Sequence, residues 1–239
     1  MRTILITGFG RFPGAPVNPG GLVATRLVRR RRPAFAGTRR VAHVFATRYE
    51  AVDRELPALL KREKPDIVVM FGVATRSRQV RVEQRARNRI ALFPDAGGHR
   101  PATRTIAPHC DALRNPLPVA RLVNAARTAG VAAAPSRNAG TYLCNYVYWR
   151  ALEAAAGPDG PGFVVFVHVP PIGLKGLPKK LSKRPPKRLS KKLSNRRRMR
   201  KRRAPRLNDL VRAGEAIVLA MISLAGGWRQ AKLQESINQ

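Results

Sequence analysis

Gly162-Phe163-Val164-Val165-Phe166-Val167-His168 is a short apolar run that ends in a histidine. Its length, its valines, and the glycine before it and Pro170 after it indicate a strand that is buried on both faces. Such strands belong to parallel sheets, and in α/β domains the loops at the carboxyl ends of parallel strands carry the ligand-binding and catalytic groups. The run therefore predicts an α/β fold with His168 at its functional edge.

The rest of the chain alternates apolar runs with helical periods. The other predicted strands are 3–7, 41–46 and 66–71, and the predicted helices are 20–32, 49–64, 115–129 and 207–224. This alternation implies a three-layer α/β/α architecture, with a mainly parallel twisted sheet and helices on both faces. A chain of 239 residues can bury a full core as one domain of this class, so we expect a single domain over residues 1–239.

Ser136-Arg137-Asn138-Ala139-Gly140-Thr141-Tyr142-Leu143-Cys144-Asn145 carries one of two cysteines to the start of a further predicted helix, which ends before Gly157-Pro158. In the first turn of a helix, unpaired N–H groups and the helix dipole favour a thiolate. A lone cysteine is more often a small buried hydrophobe, and His168 could equally be a structural histidine. In one crevice, however, the two would form a nucleophile and a general acid.

Three separated motifs point to a known family. The first is T-G-F-G-R-F at 7–12 with Asn18-Pro19, and the second is V-E-Q-R-A-R-N at 82–88, following Gly72. The third is the stretch through Cys144 together with F-V-H-V-P at 166–170. In order, spacing and residue types they resemble pyroglutamyl-peptidase I, a family of cysteine peptidases. The resemblance covers residues 1 to about 171, and 207–213 resembles the start of the family's last helix.

The resemblance implies a function and three catalytic residues. Cys144 would be the nucleophile, His168 the base and later the acid, and Glu83 the group that orients the imidazole. The substrates would be peptides with an N-terminal pyroglutamate, which are cleaved through a thioester. Without the motif, Glu83 would be read as an ordinary salt-bridged glutamate, because arginines flank it on both sides.

The opening motif is predicted to bind the substrate. Phe9 and Phe12 would line the pocket for the pyroglutamyl ring and Asn18 would brace that loop, since aromatic faces suit a neutral lactam. The alternatives are that the two phenylalanines belong to the core and that Asn18 caps a helix with Pro19 at its first position. A dinucleotide site is rejected because the third glycine of that fingerprint is missing.

The sequence departs from the family in two places. Residues 91–95 lack the arginine that is common at this place in the family, so the sequence does not identify the second hydrogen-bond donor to the oxyanion. Residues 72–76 lack the glycine-rich turn that the family more often shows. These departures keep open the alternative of a catalytically impaired relative. No cofactor is implied, no zinc-type spacing is present, and Cys110 is interpreted as structural or incidental.

A peptidase function does not account for the high positive charge of this chain. The formal net charge is +34, and Lys175 to Arg206 contains seventeen Lys and Arg with no acidic residue. Such dense like charge predicts a disordered insertion at 175–206. Beyond a solvated loop, this insertion suggests an alternative function in nonspecific binding of nucleic acid or another polyanion through phosphate contacts.

The location and assembly of the protein follow from weaker signals. Met1-Arg2 leads directly into a short strand, so neither a secretory segment nor a membrane span is predicted. Two cysteines, one of them a proposed reactive thiol, suit a reducing compartment, and we expect a cytoplasmic protein. The family includes oligomers, so a homo-oligomer remains open.

Overall fold

The computed structural model describes residues 1–12, 17–108, 110–172 and 204–237, with side chains up to residue 226. Within these ranges the chain forms eight strands and five α-helices. The strands are β1 (Arg2–Phe9), β2 (Thr38–Phe45), β3 (Ile67–Val73), β4 (Val80–Glu83), β5 (Arg85–Arg87), β6 (Ala112–Arg114), β7 (Ala133–Ser136) and β8 (Phe163–Val169). The helices are α1 (Pro19–Val28), α2 (Tyr49–Glu63), α3 (Val119–Thr128), α4 (Leu143–Ala155) and α5 (Leu207–Ile237).

Six strands form the main sheet in the order β2-β1-β3-β8-β4-β7. Every neighbouring pair is parallel except β4 and β8, so the prediction of a mainly parallel sheet is confirmed. All four predicted strands are present. The short strands β4 and β7 were not predicted, and β5 and β6 form a separate antiparallel ribbon.

Helices cover both faces of the sheet, as predicted. The side chains of β8 alternate between the two faces, which is the period of a strand. Val165 and Val167 join the core cluster that includes residues of α1, α3 and α5, whereas Val164 and Phe166 join the cluster that includes residues of α2 and α4. The two apolar layers give the predicted three-layer architecture.

The first residues of α1 press against the carboxyl ends of β1 and β3. A Cβ on Gly8 would lie 2.6 Å from backbone atoms of Gly20 and Gly21, and a Cβ on Gly20 would lie 2.6 Å from the carbonyl oxygen of Phe71. These glycines therefore serve close backbone packing, since any larger residue would push the helix off the sheet. This contact holds the β1–α1 loop at the edge where β8 ends.

Three predicted helix boundaries differ from the structure. The first helix ends at Val28 rather than at residue 32, and the predicted helix 115–129 begins only at Val119. Pro116 and Pro118 explain the late start, because proline disfavours the helical conformation in the residue before it. The last helix extends past residue 224 to Ile237.

The predicted basic insertion at 175–206 lies outside the described residues except for 204–206. Its disorder and its contact with polyanions therefore stay predictions. Within the part of the chain that the structure describes, no helix combines the length and apolar character that a membrane span needs.

Candidate active site

Cys144 is the second residue of α4, so the predicted helix-start position is correct. Gly140 makes the bend before the helix with a positive φ of 87°. The backbone N–H of Tyr146 donates to the carbonyl oxygen of Tyr142 at 3.0 Å, which closes the first helical turn. The N–H groups of Leu143, Cys144 and Asn145 precede this bond, and they are the donors that the helix itself does not use.

Asn145 fixes this first turn to the segment that follows Glu83. Its side chain is fully buried, accepts a bond from the N–H of Arg87 at 2.9 Å, and donates to the carbonyl oxygens of Arg87 at 2.7 Å and Arg89 at 3.0 Å. Three backbone bonds from one buried amide leave little freedom for the helix start. The position of Cys144 is therefore tied to β5 and Arg89, which follow the strand that carries Glu83.

Glu83 and His168 meet on the face of the sheet that α4 covers. The register pairs Arg81 with His168 and Val82 with Val167, so Glu83 lies diagonally across from the histidine on the same face. The Nδ1 atom of His168 lies 2.8 Å from Oε1 of Glu83, and both side chains are buried. This bond fixes the imidazole with its Nε2 atom free for a second partner.

The second partner of His168 is Cys144. Burial by itself lowers the pKa of the imidazole, but hydrogen bonds with the Cys144 thiol and the Glu83 carboxylate, and the attraction of both negative charges, raise the pKa to about 9. The imidazolium form is therefore favoured at neutral pH. The structure brings the three predicted catalytic residues together in this arrangement.

Gly72 makes room for the nucleophile. It pairs in register with His168, and a Cβ built on it would lie 2.8 Å from Sγ of Cys144 and 2.7 Å from the ring of Phe166. An alanine at this position would displace the thiol or the ring. The turn that follows Gly72 departs from the family pattern, but the glycine that the site requires is in place.

Arg81 is a site residue that the sequence reasoning did not single out. Its Nε lies 3.7 Å from Oε1 of Glu83, and the guanidinium donates to the hydroxyl of Ser136 and to the carbonyl oxygen of Asn138. Oε2 of Glu83 has no hydrogen-bond partner among the described residues. Arg81 therefore places a cation beside the buried carboxylate of Glu83. The only sequence signal was the run of arginines around Glu83.

A cleft of about 1370 Å³ opens over Cys144 and His168. Phe9, Phe12 and Tyr142 line it, and the rings of Phe12 and Tyr142 lie 6.4 Å apart between centroids. Phe9 also packs on Phe45 in the core, as the alternative interpretation predicted, and its contact with a pyroglutamyl ring stays a prediction. Tyr142 is an aromatic lining residue that the sequence analysis quoted within a motif but did not assign to the pocket.

Asn18 lies at the same cleft and caps α1. Its Oδ1 accepts from the N–H of Gly20 at 3.0 Å, and its Nδ2 donates to the carbonyl oxygen of Gly10 at 3.1 Å. Pro19 occupies the first helical position, as predicted. One side chain therefore holds the β1–α1 loop and the helix start together.

The loop at residues 91–95, where the expected arginine is missing, contacts the start of α4 through backbone and aromatic groups. The N–H of Ala91 donates to the carbonyl oxygen of Thr141 at 2.6 Å, and the Tyr142 hydroxyl donates to that of Pro94 at 3.1 Å. Phe93 contacts Tyr142 edge to face, with a centroid distance of 6.1 Å. The loop is held in place, but it brings no cationic side chain from residues 91–95 to the thiol.

The remaining cysteine lies elsewhere. Cys110 is exposed and free. Across the described ranges, no group of three or more His, Cys, Asp and Glu side chains could hold a metal ion.

A thiol at a helix start beside a buried imidazole–carboxylate pair, on a mainly parallel α/β sheet, is the arrangement of a cysteine hydrolase. Comparison with known proteins defines the family. The sequence model described as "Pyroglutamyl peptidase" matches residues 2–194. The chain therefore belongs to the pyroglutamyl peptidase family of cysteine peptidases, which confirms the resemblance that the motifs suggested.

Individual relatives agree with this assignment. The chain is 36% identical to the pyrrolidone-carboxylate peptidase of Cupriavidus pinatubonensis over 71% of this chain and 79% of that protein. It is 34% identical to that of Thermococcus onnurineus over 74% and 87%. The solved pyrrolidone carboxyl peptidase of Thermococcus litoralis superposes with a TM-score of 0.75 at 27% identity, over 95% of this chain and 96% of that one.

Proposed function

We propose that this protein hydrolyses the bond between an N-terminal pyroglutamyl residue and the rest of a peptide, using Cys144, His168 and Glu83 as its catalytic triad. The observation that carries the proposal is the buried His168, which bonds to the Cys144 thiol on one side and to Glu83 at 2.8 Å on the other. This arrangement keeps a proton on the imidazole beside the sulfur, where a thiolate would be stabilised by the positive charge. It is the state that an attacking thiolate requires.

In the first step the Cys144 thiolate attacks the pyroglutamyl carbonyl carbon. The carbonyl π electrons move to oxygen, and the backbone N–H of Cys144 at the start of α4 is the candidate donor to this oxyanion. As the intermediate collapses, the carbon–nitrogen bond breaks and His168 gives its Nε2 proton to the leaving amine. The products are a free peptide and a pyroglutamyl thioester on Cys144.

In the second step water cleaves the thioester. Neutral His168 accepts a proton from the water as it attacks, and the collapse of the second tetrahedral intermediate releases pyroglutamate and restores the thiolate. Glu83 keeps its bond to Nδ1 throughout, so it holds the tautomer and stabilises the imidazolium without taking the proton. Glu83 is thus a positioning residue that acts through His168.

We infer that the aromatic end of the cleft binds the lactam. Phe9, Phe12 and Tyr142 offer apolar faces beside Cys144, and a neutral ring gains more from such faces than from charges. Asn18 contributes by holding the loop that carries both phenylalanines. The mechanism needs a free thiol, and we accordingly place the protein in the reducing cytoplasm.

The test is release of a fluorescent amine from its pyroglutamyl amide by the purified full chain under reducing conditions. We expect hydrolysis that iodoacetamide abolishes, and a trapped thioester that mass spectrometry of the quenched reaction locates on Cys144. A Cys110→Ser variant is the matched control, because Cys110 is free and exposed. If the amide is not hydrolysed, or if Cys110→Ser loses the activity, the proposed function is wrong.

A further inference from the structure

The cleft changes character across β8, because the sheet order places β1, which carries Phe9, on one side of β8 and β4, which carries Arg81, on the other. Beyond the catalytic pair it is lined by the β3–β4 loop, which contributes Arg76 and Arg78, and by Arg81 of β4. Among the described residues that line the cleft, none carries a carboxylate. This end of the cleft is therefore strongly positive.

The charges of Arg76 and Arg78 are available to a ligand. Both side chains are exposed, and within the described residues no ion pair includes either of them. Arg81 differs, because its guanidinium is already held by Ser136 and Asn138 and lies near Glu83. The two loop arginines are the cations of this wall that have no such structural task.

The loop that carries these arginines is held in a defined shape. The N–H of Ala74 donates to the carbonyl oxygen of Val169 at 2.9 Å, directly beside His168. The N–H of Ser77 donates to the carbonyl oxygen of Ala74 at 2.9 Å, and the Ser77 hydroxyl donates to that of Gln79 at 2.7 Å. The arginines therefore project from a folded turn attached to the strand of the general acid.

The chemistry fixes which part of a substrate meets this turn. His168 must face the leaving amine. On the proposed function, the lactam occupies the aromatic end beside β1, which lies on the other side of β8 from β4. The leaving peptide consequently runs toward the β3–β4 loop. Arg76 is four residues beyond Gly72, a span of at most about 14 Å, which an extended peptide covers with its first four residues.

We infer that Arg76 and Arg78 form a subsite for acidic side chains of the leaving peptide, so that the enzyme prefers pyroglutamyl peptides whose next residues are Asp or Glu. The inference rests on the proposed function and adds a substrate class to it. Exposed pairs of this kind are individually weak, so the preference is a matter of several-fold.

The experiment compares two substrates that differ only in charge, pyroglutamyl-Glu-Ala-amide and pyroglutamyl-Gln-Ala-amide, at neutral pH. We expect kcat/KM to favour the glutamate peptide by about threefold to tenfold at low salt and the preference to disappear near 1 M salt. The double variant Arg76→Gln, Arg78→Gln should abolish the preference, so that its kcat/KM values for the two peptides become equal. Arg121→Gln, an exposed arginine of α3 outside the cleft lining, should keep the preference.

Two results would overturn the inference while the proposed function stands. One is equal hydrolysis of both peptides by the wild type, and the other is a preference that survives in the double variant, which would assign it to charges elsewhere. If neither peptide nor the neutral fluorogenic amide is cleaved, the proposed function itself fails. The neutral amide thus separates the two failures.

Discussion

The two ends of the cleft differ in almost every physical property. At one end the rings of Phe9, Phe12 and Tyr142 surround a space without charge, and at the other the guanidinium groups of Arg76 and Arg78 face solvent. The aromatic end is built from the β1–α1 loop and the start of α4, whereas the basic end is built from the β3–β4 loop and β4. Cys144 and His168 lie between the two.

We expect the site to combine two kinds of recognition. A neutral and mostly apolar ring gains from burial, which is strong and independent of salt. An acidic leaving peptide gains from exposed opposite charge, which is weak and sensitive to salt. We therefore expect substitutions at the junction, where Cys144 and His168 lie, to slow the hydrolysis of every substrate. Substitutions at either end should change only the recognition of the part of the substrate that binds there.

The largest effect is expected at the junction. Cys144→Ala should lower kcat by at least about 10⁴-fold for every pyroglutamyl substrate, since no other group at the site can form the thioester. The fluorogenic amide assay measures this loss, and circular dichroism checks that the variant is folded. Residual turnover comparable to the wild type would mean that the thiol is not the nucleophile.

Glu83→Gln should come next, with a loss of about 10² to 10⁴ in kcat. The carboxylate raises the pKa of His168, so its removal should lower that pKa. In the wild type, kcat/KM should fall as the pH rises through about 9, where the imidazolium loses the proton that the leaving amine needs. In the variant this alkaline limb should move to lower pH.

A pH–rate profile of both proteins decides the role of Glu83. A merely structural glutamate would change the amplitude of the profile without moving its alkaline limb, and that outcome would contradict the assignment. The stability of the fold gives an independent check. Because the pKa of His168 is raised on folding, its contribution to stability is complete below about pH 6.5 and is lost as the pH rises through about 9.

Phe12→Ala should affect the aromatic end with a smaller effect than the triad substitutions. Loss of one aromatic face should raise KM for pyroglutamyl substrates by about tenfold to 100-fold, while the preference between the glutamate and glutamine peptides is unchanged. Phe93→Ala is the matched control, because Phe93 also contacts Tyr142 but is 65% exposed and does not line the cleft. Equal effects of the two substitutions would remove Phe12 from the substrate pocket.

The smallest effect is expected at Asn18, which supports the aromatic end through the backbone. Asn18→Ala should cost about 1 kcal/mol in the free energy of unfolding, because the N–H of Gly20 loses its cap. Asn18→Asp keeps the acceptor and should recover most of this stability, but it loses the donor to Gly10. Chemical denaturation measures both variants, and identical losses would show that the cap is not the stabilising element.

Sequence patterns were most informative where one physical demand dominates. The mostly apolar and buried strands β1, β3 and β8 and the helix start at Cys144 were identified because burial and helix breaking leave plain signals. The short strands β4 and β7 were missed because each has only four residues. An arginine in β4 and a proline in β7 also interrupt the apolar pattern that would mark a strand. Arg81 and Tyr142 were missed as site residues for a different reason. Their roles depend on contacts with residues that are far away in the chain.

The amino-acid sequence alone was enough to identify the fold class and the family, because local periodicity and spaced motifs are properties of the chain. The same motifs predicted Cys144, His168 and Glu83 as the catalytic residues. Only the tertiary structure decided how these groups act on one another. The antiparallel pairing of β4 with β8 sets Glu83 beside His168, and packing around Gly72 admits the thiol. Hydrogen bonds and pKa shifts depend on distances between atoms that are remote in sequence, and those distances exist only once the sheet has formed.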